Sequence, residues 1–104
     1  MIIPSKQYVE FEKECLRQIK NYGEEIDYPV NVEAVFYRSS KRRVDLTNLL
    51  EALDDMLVKA KVIIDDNRDI VASHDGSLVL YDKEKPRIEV EIIRLEEYEQ
   101  WKKD

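Results

Sequence analysis

The stretch KRRVDLTNLLEALDDMLVKAKVIIDDNRDI, Lys41 to Ile70, decides how the rest of the chain is read. It opens on a cationic cluster beside a carboxylate, Asp45. It continues through apolar positions Leu46, Leu49, Leu50, Leu53, Met56, Leu57 and Ala60, whose steps of three and four predict an amphipathic helix of about four turns. It closes on a second acidic pair, Asp65 and Asp66, at the far end of the short apolar run Val62 to Ile64. Carboxylates at the ends of two regular elements are a way to build a site for a divalent cation, because hard ions take oxygen ligands and keep several waters.

The helical stripe sets the polar positions. Thr47, Asn48, Glu51, Asp54 and Asp55 are expected to face away from the leucines, with Thr47, Glu51 and Asp55 stacked at spacings of four. Asp45 falls at the helix start, where a cap and a metal ligand are both readings of the same residue. Arg38, Lys41, Arg42 and Arg43 contain no acid among them and suit either a solvated loop or phosphate contact.

Outward from this stretch, Val30 to Tyr37 reads as a strand, with Val30, Val32, Ala34 and Phe36 on one face and Asn31, Glu33, Val35 and Tyr37 on the other. Before it, Ser5 caps an expected helix carrying Tyr8, Phe11, Cys15, Ile19 and Tyr22. After the central stretch, Ile70 to Ser73 and Leu78 to Tyr81 flank His74-Asp75-Gly76-Ser77, and Asp-Gly predicts a hairpin turn there. Arg87 to Arg94 alternates as a strand, and Leu95 to Lys103 reads as a terminal helix holding Tyr98 and Trp101. Glu96, Glu97, Glu99, Lys102 and Lys103 are read as its solvated face. His74 is read as a structural or solvent-exposed turn residue.

The order is helix, strand, helix, short strand, hairpin, strand, helix, a mixed α+β fold in which helices pack on a small mixed sheet. With 104 residues, 43% of them hydrophobic and 38% charged, the whole chain is expected to form one folded domain. No apolar run approaches the roughly 18 residues a membrane span requires, and the start lacks a signal-peptide layout, so a cytoplasmic place and no membrane partner are expected. A lone cysteine, Cys15, offers neither an internal disulfide nor a zinc motif. The net charge of −6 argues against a general DNA-coating module but leaves a nuclease open, since phosphate affinity follows local charge.

Asp45-Leu46-Thr47-Asn48 opening a helix, then Asp55-Met56-Leu57, then Asp65-Asp66 after a hydrophobic run, and onward through Ile70 and SHDGSLVLYDKEKPRIEVEI, resemble the RusA family of Holliday-junction resolvases of phages, prophages and bacteria. The resemblance implies a small homodimer that cuts four-way DNA junctions with Mg²⁺, or Mn²⁺ in its place, in a bacterium or a phage-infected cell. By position it makes Asp45 and Asp66 the leading metal ligands, with Asp65 beside Asp66; the DNA contacts expected of Arg38, Lys41, Arg42 and Arg43 rest on the charge of their loop.

Three positions depart from the family pattern. Thr47 stands where many relatives have Asp, although a Thr-Asn form resembles a recurring variant. Glu51 stands where relatives often have a lysine important for catalysis. One hypothesis joins these two, with Glu51 supplying the missing carboxylate and a cation of the basic loop replacing the lysine. The resemblance also suggests a strand before the first helix, for which Met1-Ile2-Ile3-Pro4 leaves little room. Two alternatives stand beside the nuclease: a catalytically impaired junction-binding or assembly protein of the same fold, and a small acidic interaction domain.

Overall fold

The computed structural model describes residues 2–4 and 24–96. The helix expected from Ser5 and most of the one expected from Leu95 lie outside them. Among the described residues, five strands form one sheet: β1 (Ile2–Pro4), β2 (Val30–Arg38), β3 (Val71–Ser73), β4 (Leu78–Tyr81) and β5 (Arg87–Arg94). One helix, α1 (Leu46–Lys59), lies between β2 and β3 in the chain. The mixed α+β class is as expected.

β2 is the centre. β5 pairs with it antiparallel from Val30↔Arg94 to Tyr37↔Arg87, and β1 adds outside β5, again antiparallel. A strand does therefore precede the first expected helix, contrary to the reading of Met1 to Pro4. Three residues are enough to extend an edge, and Pro4, which cannot donate to a ladder, is tolerated on such an outer strand.

The hairpin expected at Asp75-Gly76 does not form. β3 and β4 both run parallel to β2 along its other edge, β3 at its start and β4 at its end. The side chain of Asn31 explains the difference. Its Oδ1 accepts from the Asp75 N–H at 2.7 Å and from Ser73 Oγ at 2.6 Å, while its Nδ2 donates to the Asp75 carbonyl at 3.0 Å. Ser77 Oγ then accepts from the Ala34 N–H at 3.0 Å. Side chains thus stand in for ladder bonds across the irregular stretch, and the chain continues forward instead of folding back. Gly76 meets the turn with φ +86, a conformation in which a side chain is strained.

The predicted alternation of β2 holds. Val30, Val32, Ala34 and Phe36 are buried against Ile88 and Val90 of β5 and Leu53, Met56 and Leu57 of α1, in one core. Past the helix, Lys61 takes a left-handed φ of 61 and donates to the Val58 carbonyl at 3.0 Å, closing α1 by turning the chain inward. Val62 and Ile63 consequently enter the core fully buried. They form a single parallel bridge, Ile26↔Ile63, rather than the expected short strand, because Ile26 is the partner that exchanges backbone bonds there.

Candidate functional site

Asp45 is the N-cap of α1. Its Oδ1 accepts from the Thr47 N–H at 2.9 Å, and its carbonyl accepts from the Leu49 N–H at 3.2 Å. Its backbone is extended, as a cap requires. Thr47, Asn48, Glu51 and Asp55 are exposed, as the apolar stripe predicts.

Asp54 is not. It is buried at 6% exposure, contrary to the expectation that it faces solvent with its acidic neighbours. The reason is its row on the helix: it follows Leu50 by four residues and precedes Leu57 by three, so it lies within the apolar stripe. That spacing was visible in the sequence, though the acidic character of Asp54 suggested the outer face.

Burial without a partner would be costly, and His74 supplies one. Its Nε2 lies 2.8 Å from Asp54 Oδ2. His74 is therefore half-buried and paired, which is the structural of the two roles read for it in the sequence. The other oxygen, Asp54 Oδ1, is buried and has no hydrogen-bond partner among the described residues. Burial raises the Asp54 carboxyl to about 6, against the opposing pull of His74 and with the help of the Asp66 and Asp55 charges.

Asp65 and Asp66 follow the Ile63 bridge on an exposed loop. Asp65 Oδ1 accepts from the Asp66 N–H at 2.7 Å, and Asn67 Oδ1 accepts from the Asp69 N–H at 2.9 Å, so the loop is folded by its own polar side chains. Desolvation first, then the hydrogen bond with Asp65 and the charges of Asp55 and Asp65, holds Asp66 above the ordinary carboxylate range. The Asp66 charge bears on Asp54, and that of Asp55 bears on both.

The basic loop joins β2 to α1. Arg38 Nη1 donates to the Arg42 carbonyl at 2.9 Å, and the Arg42 N–H donates to Ser40 Oγ at 3.0 Å. Lys41 Nζ lies 4.9 Å from the centre of the Tyr81 ring at the end of β4. Lys41, Arg42 and Arg43 are exposed, and only Val44 separates them from the capping acid. Elsewhere on the sheet, Arg87 bridges Asp82 and Glu89 at 2.8 and 2.7 Å and lies 3.8 Å from the centre of the Tyr37 ring, which pins the turn between β4 and β5.

Among the described residues, no three histidine, cysteine or acidic side chains are gathered so as to hold a metal ion. The donor chemistry still fits a hard divalent cation. Mg²⁺ is commonly held by one or two carboxylates, with water and phosphate oxygens filling the other positions. Asp45, Asp65 and Asp66 offer such oxygens at exposed places.

The described residues thus form a small α+β fold with a basic loop before its helix and an exposed acidic loop after it. A family model described as endodeoxyribonuclease RusA matches residues 1–93. The chain belongs to that family, as the resemblance implied, and its class is that of endodeoxyribonucleases, proteins whose partner is DNA. No curated protein matches it. Asp54, His74 and Asn31 are the residues of this region that sequence reasoning did not assign to it.

Proposed function

We propose that this protein is a Mg²⁺-dependent, structure-selective endodeoxyribonuclease that resolves four-way DNA junctions as a homodimer. The observation that carries the reading is the family match over residues 1–93. The acidic loop and basic loop on the same small domain support it. Asp45, Asp66 and Asp65 are the residues that would hold the ion, with Glu51, exposed on α1, as a further carboxylate. Bound there, Mg²⁺, or Mn²⁺ in its place, would lower the barrier to water attack by neutralising charge on the phosphoryl group. Lys41, Arg42 and Arg43 would hold the backbone of the junction arms, with Arg38 shaping the loop through its bond to the Arg42 carbonyl.

A second reading is a junction-binding protein without catalysis. Two features favour it: Glu51 puts an acid where a cation would assist phosphate chemistry, and Asp45 already commits an oxygen to its helix cap. Synthetic four-way junctions separate the two. The nuclease reading expects nicking with Mg²⁺, little cutting of linear duplex, and loss of cutting in Asp66→Asn with junction binding in Ca²⁺ retained. Tight binding in Ca²⁺ with no product in Mg²⁺ or Mn²⁺ would establish the second reading instead.

A further inference from the structure

Asp54 and His74 stand outside the metal-holding and phosphate-holding residues just named, yet they have the chemistry of a proton carrier. Their bond is 2.8 Å long, between an Asp54 side chain only 9% exposed and a His74 side chain 28% exposed. A carboxylate can only accept a hydrogen bond, so ionised Asp54 requires the proton on His74 Nε2. The lone pair is then left on Nδ1, for which no hydrogen bond is found among the described residues, on a ring that water can reach.

Both members of the pair are held from behind. Asp54 is fixed by the packed row of Leu50 and Leu57 on α1. His74 sits at the head of the stretch that Asn31 ties to β2 through three hydrogen bonds. Asp54 follows Glu51 by three residues on α1, so the pair stands one helical turn from that exposed carboxylate, and the charges of Asp66 and Asp55 also bear on Asp54. A leucine at position 54 would complete the helix stripe, and apolar replacements of buried ion pairs are often neutral or stabilising. A buried carboxylate with one oxygen unpartnered among the described residues is thus a stability cost that packing does not explain.

We propose that His74, oriented by Asp54, is the proton acceptor for the water that hydrolyses the phosphodiester. The proposal rests on the nuclease reading. The water oxygen forms a bond to phosphorus, the bond from phosphorus to the leaving sugar oxygen breaks, and the water proton passes to His74 Nδ1. The resulting imidazolium keeps its Nε2–H on Asp54, and the leaving oxygen takes a proton from solvent. His74 is then a catalytic residue and Asp54 a positioning residue, as in other carboxylate–imidazole pairs.

Single-turnover cutting of a four-way junction at saturating Mg²⁺ tests this across a pH series, with junction affinity in Ca²⁺ and the ¹⁵N shifts of the His74 ring measured in parallel. The expected result is a fall of about a hundredfold in rate for His74→Gln with affinity unchanged. Asp54→Asn is expected to slow cutting and displace the acidic limb of the pH profile. The ring of the wild type should carry its proton on Nε2 at neutral pH, and Asp54→Asn should weaken that preference. A His74→Gln rate within about threefold of wild type, or a wild-type ring protonated on Nδ1 instead, overturns the proposal. Should the wild type bind junctions without cutting them, the nuclease reading fails, and the ring decides the placement separately. An Nδ1 resonance that moves on junction binding keeps His74 at the DNA, and one that does not overturns that too.

Discussion

Asp45 and Asp54 belong to the same helix, about two and a half turns apart, and the fold treats them in opposite ways. Asp45 is exposed and gives an oxygen to the first turn, where a negative charge is welcome at the positive end of the helix dipole. Asp54 is buried, answers to a single histidine, and has its carboxyl pushed up to about 6 chiefly by burial. What separates them is the row of the helix each occupies. An acid's role is set by the surface its element turns toward the core, and the identity of the residue alone does not reveal it.

The sharpest way to probe this contrast compares Asp54 with the leucine before it. Leu53→Ala is expected to lower the unfolding free energy by about 2–5 kcal/mol, because Leu53 is fully buried and its removal leaves a cavity. Asp54→Leu, one residue along, is expected to move stability by no more than about 1.5 kcal/mol, because the leucine fits the apolar stripe while the part-exposed His74 turns to water for its lost partner. Denaturant unfolding of the two variants measures both. A large loss for Asp54→Leu would mean that the buried acid holds the fold together, and the contrast with Asp45 would dissolve.

The next effect is a dependence on pH. Asp54 ionises near 6 in the folded chain and near its ordinary 3.8 when unfolded. Between those values the folded state binds more protons, so the stability associated with protonated Asp54 is fully present below about pH 4 and is lost as pH rises through about 6. The loss is expected to be on the order of 1–3 kcal/mol, and Asp54→Asn should not show it. The difference between the two proteins in denaturant unfolding, followed across that window, isolates the group from the other acids. A difference that stays flat with pH would show that Asp54 titrates alike in both states.

The smallest effect belongs to the other end of the comparison. Asp45→Ala should cost about 0.5–2 kcal/mol through loss of the cap. Asp45→Asn, which can still accept from the Thr47 N–H, should recover most of it. Thermal unfolding of both variants checks the pair, and equal losses would show that charge, not the cap, is what Asp45 contributes.

Much of this molecule can be read from periodicity. The alternation of Val30, Val32, Ala34 and Phe36 locates the buried face of the central strand, and the leucine steps of α1 locate its inner stripe, because burial and repeat are the same physical fact there. Acids at Asp45, Asp65 and Asp66 are also legible as the ends of elements. The misreadings share a different cause. Asp75-Gly76 has the chemistry of a hairpin, yet the competing Asn31 side chain, distant in sequence, captures the backbone of Asp75 and holds the strand straight. Asp54 and His74 are likewise brought together by the parallel placement of β3 on β2, which local pattern cannot convey. Long-range side-chain capture, rather than weak propensity, is what single-sequence reading misses here.

The most direct measurement is the titration of the Asp54 carboxyl itself, followed by its side-chain ¹³C shift in the intact protein, with His74→Gln as the reference. The account predicts a midpoint near 6 in the wild type and a higher one in His74→Gln, where the imidazole no longer favours the ionised form. A midpoint in the ordinary range near 3.8, unmoved by the loss of His74, would show a solvated acid without its partner and would contradict it.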